Sequence, residues 1–81
     1  MDRRDYWELC RRVALIPQGP EYAKPVPEEL HVVYDGIEYY PVAYEVRWDS
    51  HGEPYQRAIM HDLAADSTTV GELERVRRVN E

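Results

Sequence analysis

An α+β fold, an N-terminal helix packed on a three- to four-stranded antiparallel β-meander with a short C-terminal helix, is predicted by three features of the sequence. Asp35-Gly36 stands between two runs of alternating apolar residues. That pattern is the strongest short-range hairpin signal, because a type I′ turn needs positive φ at both central positions. Asp49-Ser50-His51-Gly52 joins the second run to a third, with Asp at the first turn position and Gly at the fourth. Ahead of both, Tyr6, Leu9, Cys10, Val13 and Ile16 recur at the spacing of one helical face.

The helix is expected over residues 1–16. Asp2 can cap it, Glu8 and Arg12 form an i,i+4 pair, and Pro17 stops it. Residues 17–29 carry Pro20, Pro25 and Pro27 with Gly19 among them. This composition suits an extended surface connector, which Tyr22 and Val26 would pin to the core.

The sheet is expected over residues 30–62. The Asp35-Gly36 turn sets Tyr34 opposite Ile37, Val32 opposite Tyr39 and Leu30 opposite Pro41. After Pro41 the apolar phase changes: Tyr40, Val42, Tyr44, Val46 and Trp48 become the large residues, and Glu45 and Arg47 take the other positions. A phase change inside one run implies a bulge, and Pro41, which cannot donate to a ladder, marks the place. Beyond the second turn Tyr44 should face Ala58, and Val42 should face Met60.

Residues 67–81 form a C-terminal element with two readings. Thr69 with Glu72 fits a capping box, and Val70, Leu73, Val76 and Val79 recur every third residue, which predicts a helix. The β-branched run Thr68-Thr69-Val70 and the interior Gly71 suit a strand instead. A fourth strand followed by one helical turn at Leu73 to Val76 would make an SH3-like small β-barrel with an N-terminal helix.

At 81 residues the chain is expected to be a single domain, burying about 60% of the surface its unfolded form exposes. No apolar run approaches the roughly 20 residues of a membrane-spanning helix, so a cytoplasmic protein is expected. Cys10 is the only cysteine, which excludes an internal disulfide and a thiolate pair for metal. No phosphate-binding glycine loop or nucleophile elbow is present, and no cofactor is implied. His31, His51 and His61 with Asp49 and Asp62 are the residues a small enzyme would use, but their spacings match no helical or hairpin ligand pair.

The net charge of −6 is uneven. Residues 1–16 carry four arginines against three carboxylates, residues 17–66 carry three cations against ten carboxylates, and residues 67–81 balance three against three. The acidic segment therefore coincides with the sheet, which favours a basic partner and disfavours direct contact with a phosphate backbone. It also holds five of the seven tyrosines, between Tyr34 and Tyr55. Aromatic area beside carboxylates suits an interface with a basic protein. Glu38, Tyr40, Glu45, Asp49, Glu53 and Tyr55 are the candidate partner-binding residues.

In size, acidity and the Tyr-rich stretch from Tyr34 to Tyr55, the chain resembles small inhibitors that phages encode against host nucleic-acid enzymes, such as anti-CRISPR proteins and uracil-DNA glycosylase inhibitor. The resemblance implies carboxylates standing where phosphates would lie, and assigns no role to a single residue. Three function classes follow: a non-enzymatic inhibitor or regulator of a basic nucleic-acid-handling protein, a structural or adaptor domain acting as a homodimer, and a small His-dependent enzyme.

Overall fold

In the computed structural model, which describes residues 1–16, 26–62 and 67–80, Asp2 begins the first element. Its backbone is extended and its carboxylate accepts the Arg4 N–H at 2.7 Å, so helix α1 runs Arg3–Ala14. Tyr6, Leu9, Cys10 and Val13 are buried along one face, and Ile16 packs partly against them. Glu8 pairs with Arg11 at 3.2 Å instead of Arg12, which reaches Glu29 at 3.4 Å. The i,i+3 neighbour shares the helix face just as the i,i+4 neighbour does. Tyr22 and the rest of 17–25 lie outside the described residues, as do 63–66. Val26 is buried in the core, as expected.

Asp35 at φ 51° and Gly36 at φ 77° make the expected type I′ turn between β1, Val32–Tyr34, and β2, Ile37–Trp48. Tyr34 pairs with Ile37 and Val32 with Tyr39. Leu30 does not continue this ladder. It closes a 3₁₀ turn, Glu28–Leu30, in which the N–H groups of Leu30 and His31 donate to the carbonyls of Pro27 and Glu28. Those donors are spent inside the turn, and β1 is left three residues long.

The register of β2 slips between Pro41 and Ala43, where the phase change required it. Val42 is the extra residue, so Met60 faces Pro41 and not Val42, while Tyr44 faces Ala58 as predicted. At the second turn the Asp49 carboxylate accepts the N–H groups of His51 and Glu53 at 2.8 and 2.9 Å, and Gly52 takes φ 79°. Asp49 is thus a turn-forming side chain. Strand β3 follows as Pro54–Asp62.

The C-terminal helix expected from Val70 to Val79 is not formed. Thr68–Glu72 is a strand, β4, paired to β3; Leu73–Arg75 is a single 3₁₀ turn; and Arg77–Arg78 is a short strand, β5, paired to β1. Two features decide the outcome. The β-branched run prefers the pleated surface, and the Tyr34 ring lies over Gly71 so closely that any Cβ there would collide with it. Leu73 and Val76, buried on either side of the turn, anchor the crossing.

Among the described residues the sheet therefore has five strands in the order β4-β3-β2-β1-β5, not three or four. The strand-then-turn alternative describes the C-terminal element, but the barrel it implied is not closed by hydrogen bonds: β4 and β5 are the two edges of an open sheet. The sheet curls until Tyr34 of β1 meets Gly71 of β4, and Arg75 pairs with Asp35 with its guanidinium 5.2 Å from the Tyr34 ring centre. Under α1 the core gathers Val32, Leu30, Tyr39, Ala58, Met60, Leu73 and Val76. Among the described residues, no helix is long and apolar enough to cross a membrane.

Candidate functional site

The ladder of β2 with β3 is longer than anything beside it. β1 covers β2 only from Ile37 to Tyr39, and β4 covers β3 only from Arg57 to His61. From Val46–Gln56 to Trp48–Pro54 the described sheet is two strands wide. A twelve-residue strand spans about 40 Å, and the molecule measures 47 × 25 × 23 Å, so β2 runs nearly its whole length. The distal hairpin is an arm.

Its two faces differ. On one, in register, stand Glu45 with Arg57 and Arg47 with Tyr55. The Glu45 carboxylate lies 3.3 Å from both the Arg47 and the Arg57 Nε atoms, and Glu72 faces Arg57 from β4. The other face continues the phase of the core: Tyr44 opposite Ala58, Val46 opposite Gln56, Trp48 opposite Pro54. Trp7 of α1 meets Tyr44 edge to face, with ring centres 5.8 Å apart. Past that contact exposure rises along the row, from Val46 at 37% to Trp48 at 66%, and Trp7 itself is 46% exposed.

The six sequence-predicted residues do not form one cluster. Glu38 sits at the far end of β2, its carboxylate 2.6 Å from His31 Nδ1. Seven residues separate it from Glu45, up to about 23 Å along an extended strand. Tyr40 is half-buried at the bend, its ring 5.1 Å from that of His61. Glu45 and Tyr55 share the charged face of the arm, and Asp49 and Glu53 lie at its tip. The carboxylates of Glu38, Glu45 and Asp49 are each engaged within the chain.

Sequence reasoning missed Trp7 and Trp48, because the period-2 pattern of Tyr44, Val46 and Trp48 reads as core. The available signal was length: the β2–β3 hairpin is far longer than β1, so its distal half has no neighbouring strand to lie against.

The histidines stand apart: His31 beside the Glu38 carboxylate, His51 at the arm's tip, His61 beside Tyr40. Among the described residues no group of three or more His, Cys, Asp or Glu is placed to hold a metal ion. Burial pushes the Cys10 thiol up to about 11, which keeps it protonated and unreactive near neutral pH. Comparison with family models, with curated proteins and with solved structures finds no match.

Proposed function

We propose that this chain is a small acidic, non-enzymatic protein-binding module, an inhibitor or regulator of a basic nucleic-acid-handling protein, that grips its partner with the arm. The observation that carries the reading is the apolar row Tyr44, Val46 and Trp48, with Trp7 of α1 against Tyr44, which leaves the core and becomes exposed along the arm toward Trp48. Tryptophan and tyrosine at the centre of a water-excluding contact contribute most to binding energy. The net charge of −6 sets the preference for a basic partner and raises the association rate.

The carboxylates take a different part from the aromatics. Glu45 and Glu38 already have partners within the chain, so the charged groups steer the approach and the aromatic row holds the complex. Capture from a nuclease-containing lysate identifies the partner, and titration of the purified pair tests the mode. Affinity should fall as salt rises, since attraction is screened over about 10 Å at 0.1 M. Trp48→Gln should weaken binding by about 2 kcal/mol or more, roughly thirtyfold. Unchanged affinity for that variant, at low and high salt, contradicts the proposal.

A further inference from the structure

We propose that the outer edge of β2 along the arm, from Tyr44 to Trp48, pairs antiparallel with the same edge of a second copy of this chain, about a two-fold axis at Val46. The pairing goes beyond the binding reading above, which uses the face of the arm and not its edge. The Asp49 N–H donates to the Glu53 carbonyl at 3.0 Å, so these two form a hydrogen-bonded pair at the end of the hairpin. Such pairs alternate along an antiparallel ladder. Arg47 with Tyr55 and Glu45 with Arg57 are the next ones, and Tyr44, Val46 and Trp48, which fall between, turn their N–H and C=O groups away from β3. Among the described residues, β1 meets that side of β2 only from Ile37 to Tyr39, and Val46, Arg47 and Trp48 are exposed.

The two edges of the arm are not alike. On the β3 edge, Pro54 has no N–H to offer, a device that discourages strand addition. The β2 edge has no such block: Tyr44, Val46 and Trp48 each present a donor and an acceptor.

The charges select the occupant and the register. Self-pairing centred on Glu45 or on Arg47 would set that residue against its own counterpart, and like charges directly opposite are destabilising. Centred on Tyr44 the pairing runs into the Val42 bulge, and centred on Trp48 it runs into the Asp49 turn. Centred on Val46, Glu45 faces Arg47 of the second copy and Arg47 faces its Glu45. The Glu45 carboxylate, 3.3 Å from Arg57 on the β3 side, thus meets a guanidinium on its other side as well. On the opposite face Tyr44 stands across from Trp48 of the second copy and Val46 across from its Val46, which are favourable cross-strand pairs. Two two-stranded ladders, each marginal alone, become one four-stranded sheet. The apolar face stays open, and the two rows lie side by side on it.

Sedimentation of the whole chain from about micromolar to about millimolar concentration, where small interfaces associate, should show a reversible monomer–dimer equilibrium. A monomer throughout overturns the proposal. The register is read from two charge reversals. Glu45→Arg sets arginine against arginine across the two-fold axis and Arg47→Glu sets glutamate against glutamate, so each alone should weaken the dimer about tenfold or more. An equimolar mixture should recover association as a heterodimer, because both cross-strand pairs are then of opposite charge; a mixture that associates no better than its components overturns the register and the proposal with it. Amide exchange needs no variant and decides the matter should either variant fail to fold. As the wild-type concentration rises, the N–H groups of Tyr44, Val46 and Trp48 should become protected, while those of Glu45 and Arg47, already bonded to β3, should not change. A dimer in which those three amides stay open joins through another surface and contradicts the proposal. None of these readouts involves the basic partner, so their outcome is separate from that of the binding reading.

Discussion

The half of the sheet beneath α1 and the arm beyond Tyr44 are made from the same two strands and the same kinds of residue, yet one is sealed and the other open. Tyr39 and Met60 are buried; Val46 and Trp48, in the same inward phase, are not. What differs is the company each half keeps. The proximal half has β1 on one side, β4 on the other and a helix across its face, and from Val46–Gln56 outward the distal half has neither neighbouring strand. An apolar phase along a strand states which face is sticky, and the lengths of the neighbouring elements decide whether that face is covered. A two-stranded ladder standing alone is marginal in water; here its turn is braced by Asp49 and its base by the Trp7–Tyr44 contact.

The largest effect expected is in the sealed half. Leu9→Ala removes a side chain that is 1% exposed beneath α1, and should cost about 2 to 5 kcal/mol in denaturant unfolding. A cost near zero would mean that α1 is not packed on the sheet, and the contrast between the halves would vanish. Next come two of the glycines whose positions demand glycine. Gly71→Ala should cost about 1 to 3 kcal/mol, because the Tyr34 ring must leave its place and the curl of the sheet must relax. Gly36→Val, at φ 77°, should cost a similar 1 to 3 kcal/mol, roughly, through backbone strain. The two can be told apart: the first should disturb the β1–β4 approach, read from Tyr34 ring shifts, and the second the turn alone.

A smaller effect separates buried hydrogen bonding from buried area. The Tyr6 hydroxyl donates to the Ile59 carbonyl at 2.6 Å, and burial pushes its phenol far above the ordinary tyrosine range. Tyr6→Phe should therefore cost about 1 kcal/mol while leaving the helix packed. Cys10 offers a probe of the same half. With its thiol pushed up to about 11, the reactive thiolate is on the order of one part in ten thousand at pH 7. Alkylation of the native protein should be slow and should accelerate together with global unfolding; fast labelling at neutral pH would show that the helix opens on its own.

Much of this fold is legible in the sequence, and the reasons are local. Asp2 caps, Asp35-Gly36 turns, Gly52 closes the second turn and Pro41 marks the slip, because each acts through its own backbone and its nearest neighbours. The C-terminal element was ambiguous for the opposite reason. Val70 to Val79 has helical spacing, and what makes it strand, turn and strand is the Tyr34 ring over Gly71 and the partner edge that β1 offers Arg77 and Arg78, both distant in sequence. The candidate site was half legible. The sequence marked the hairpin that carries the candidate site and its aromatic and acidic composition, but placed the weight on carboxylates that the fold engages with His31, Arg47, Arg57 and the Asp49 turn. Cross-strand partners of that kind depend on register and on the Val42 bulge, and a single residue of slip exchanges the two faces of a strand.

The smallest effects on stability are expected on the arm. Glu45→Gln breaks two half-exposed ion pairs and should cost less than about 1 kcal/mol. Trp48→Gln removes an exposed ring and should move stability by no more than about 0.5 kcal/mol. A melting shift of several degrees for either would mean that the arm is itself part of the core.

The proposed division is between a half that folds and a half that would bind, and one paired measurement on Trp48→Gln addresses it most directly: the melting temperature of the variant, and its dissociation constant for the captured partner. The division predicts a melting temperature close to that of the wild type together with binding weakened roughly thirtyfold, since a central tryptophan contributes about 2 kcal/mol or more to an interface. A variant that melts like the wild type and binds like it would contradict the account, because the aromatic row would then be an exposed surface without a role in recognition.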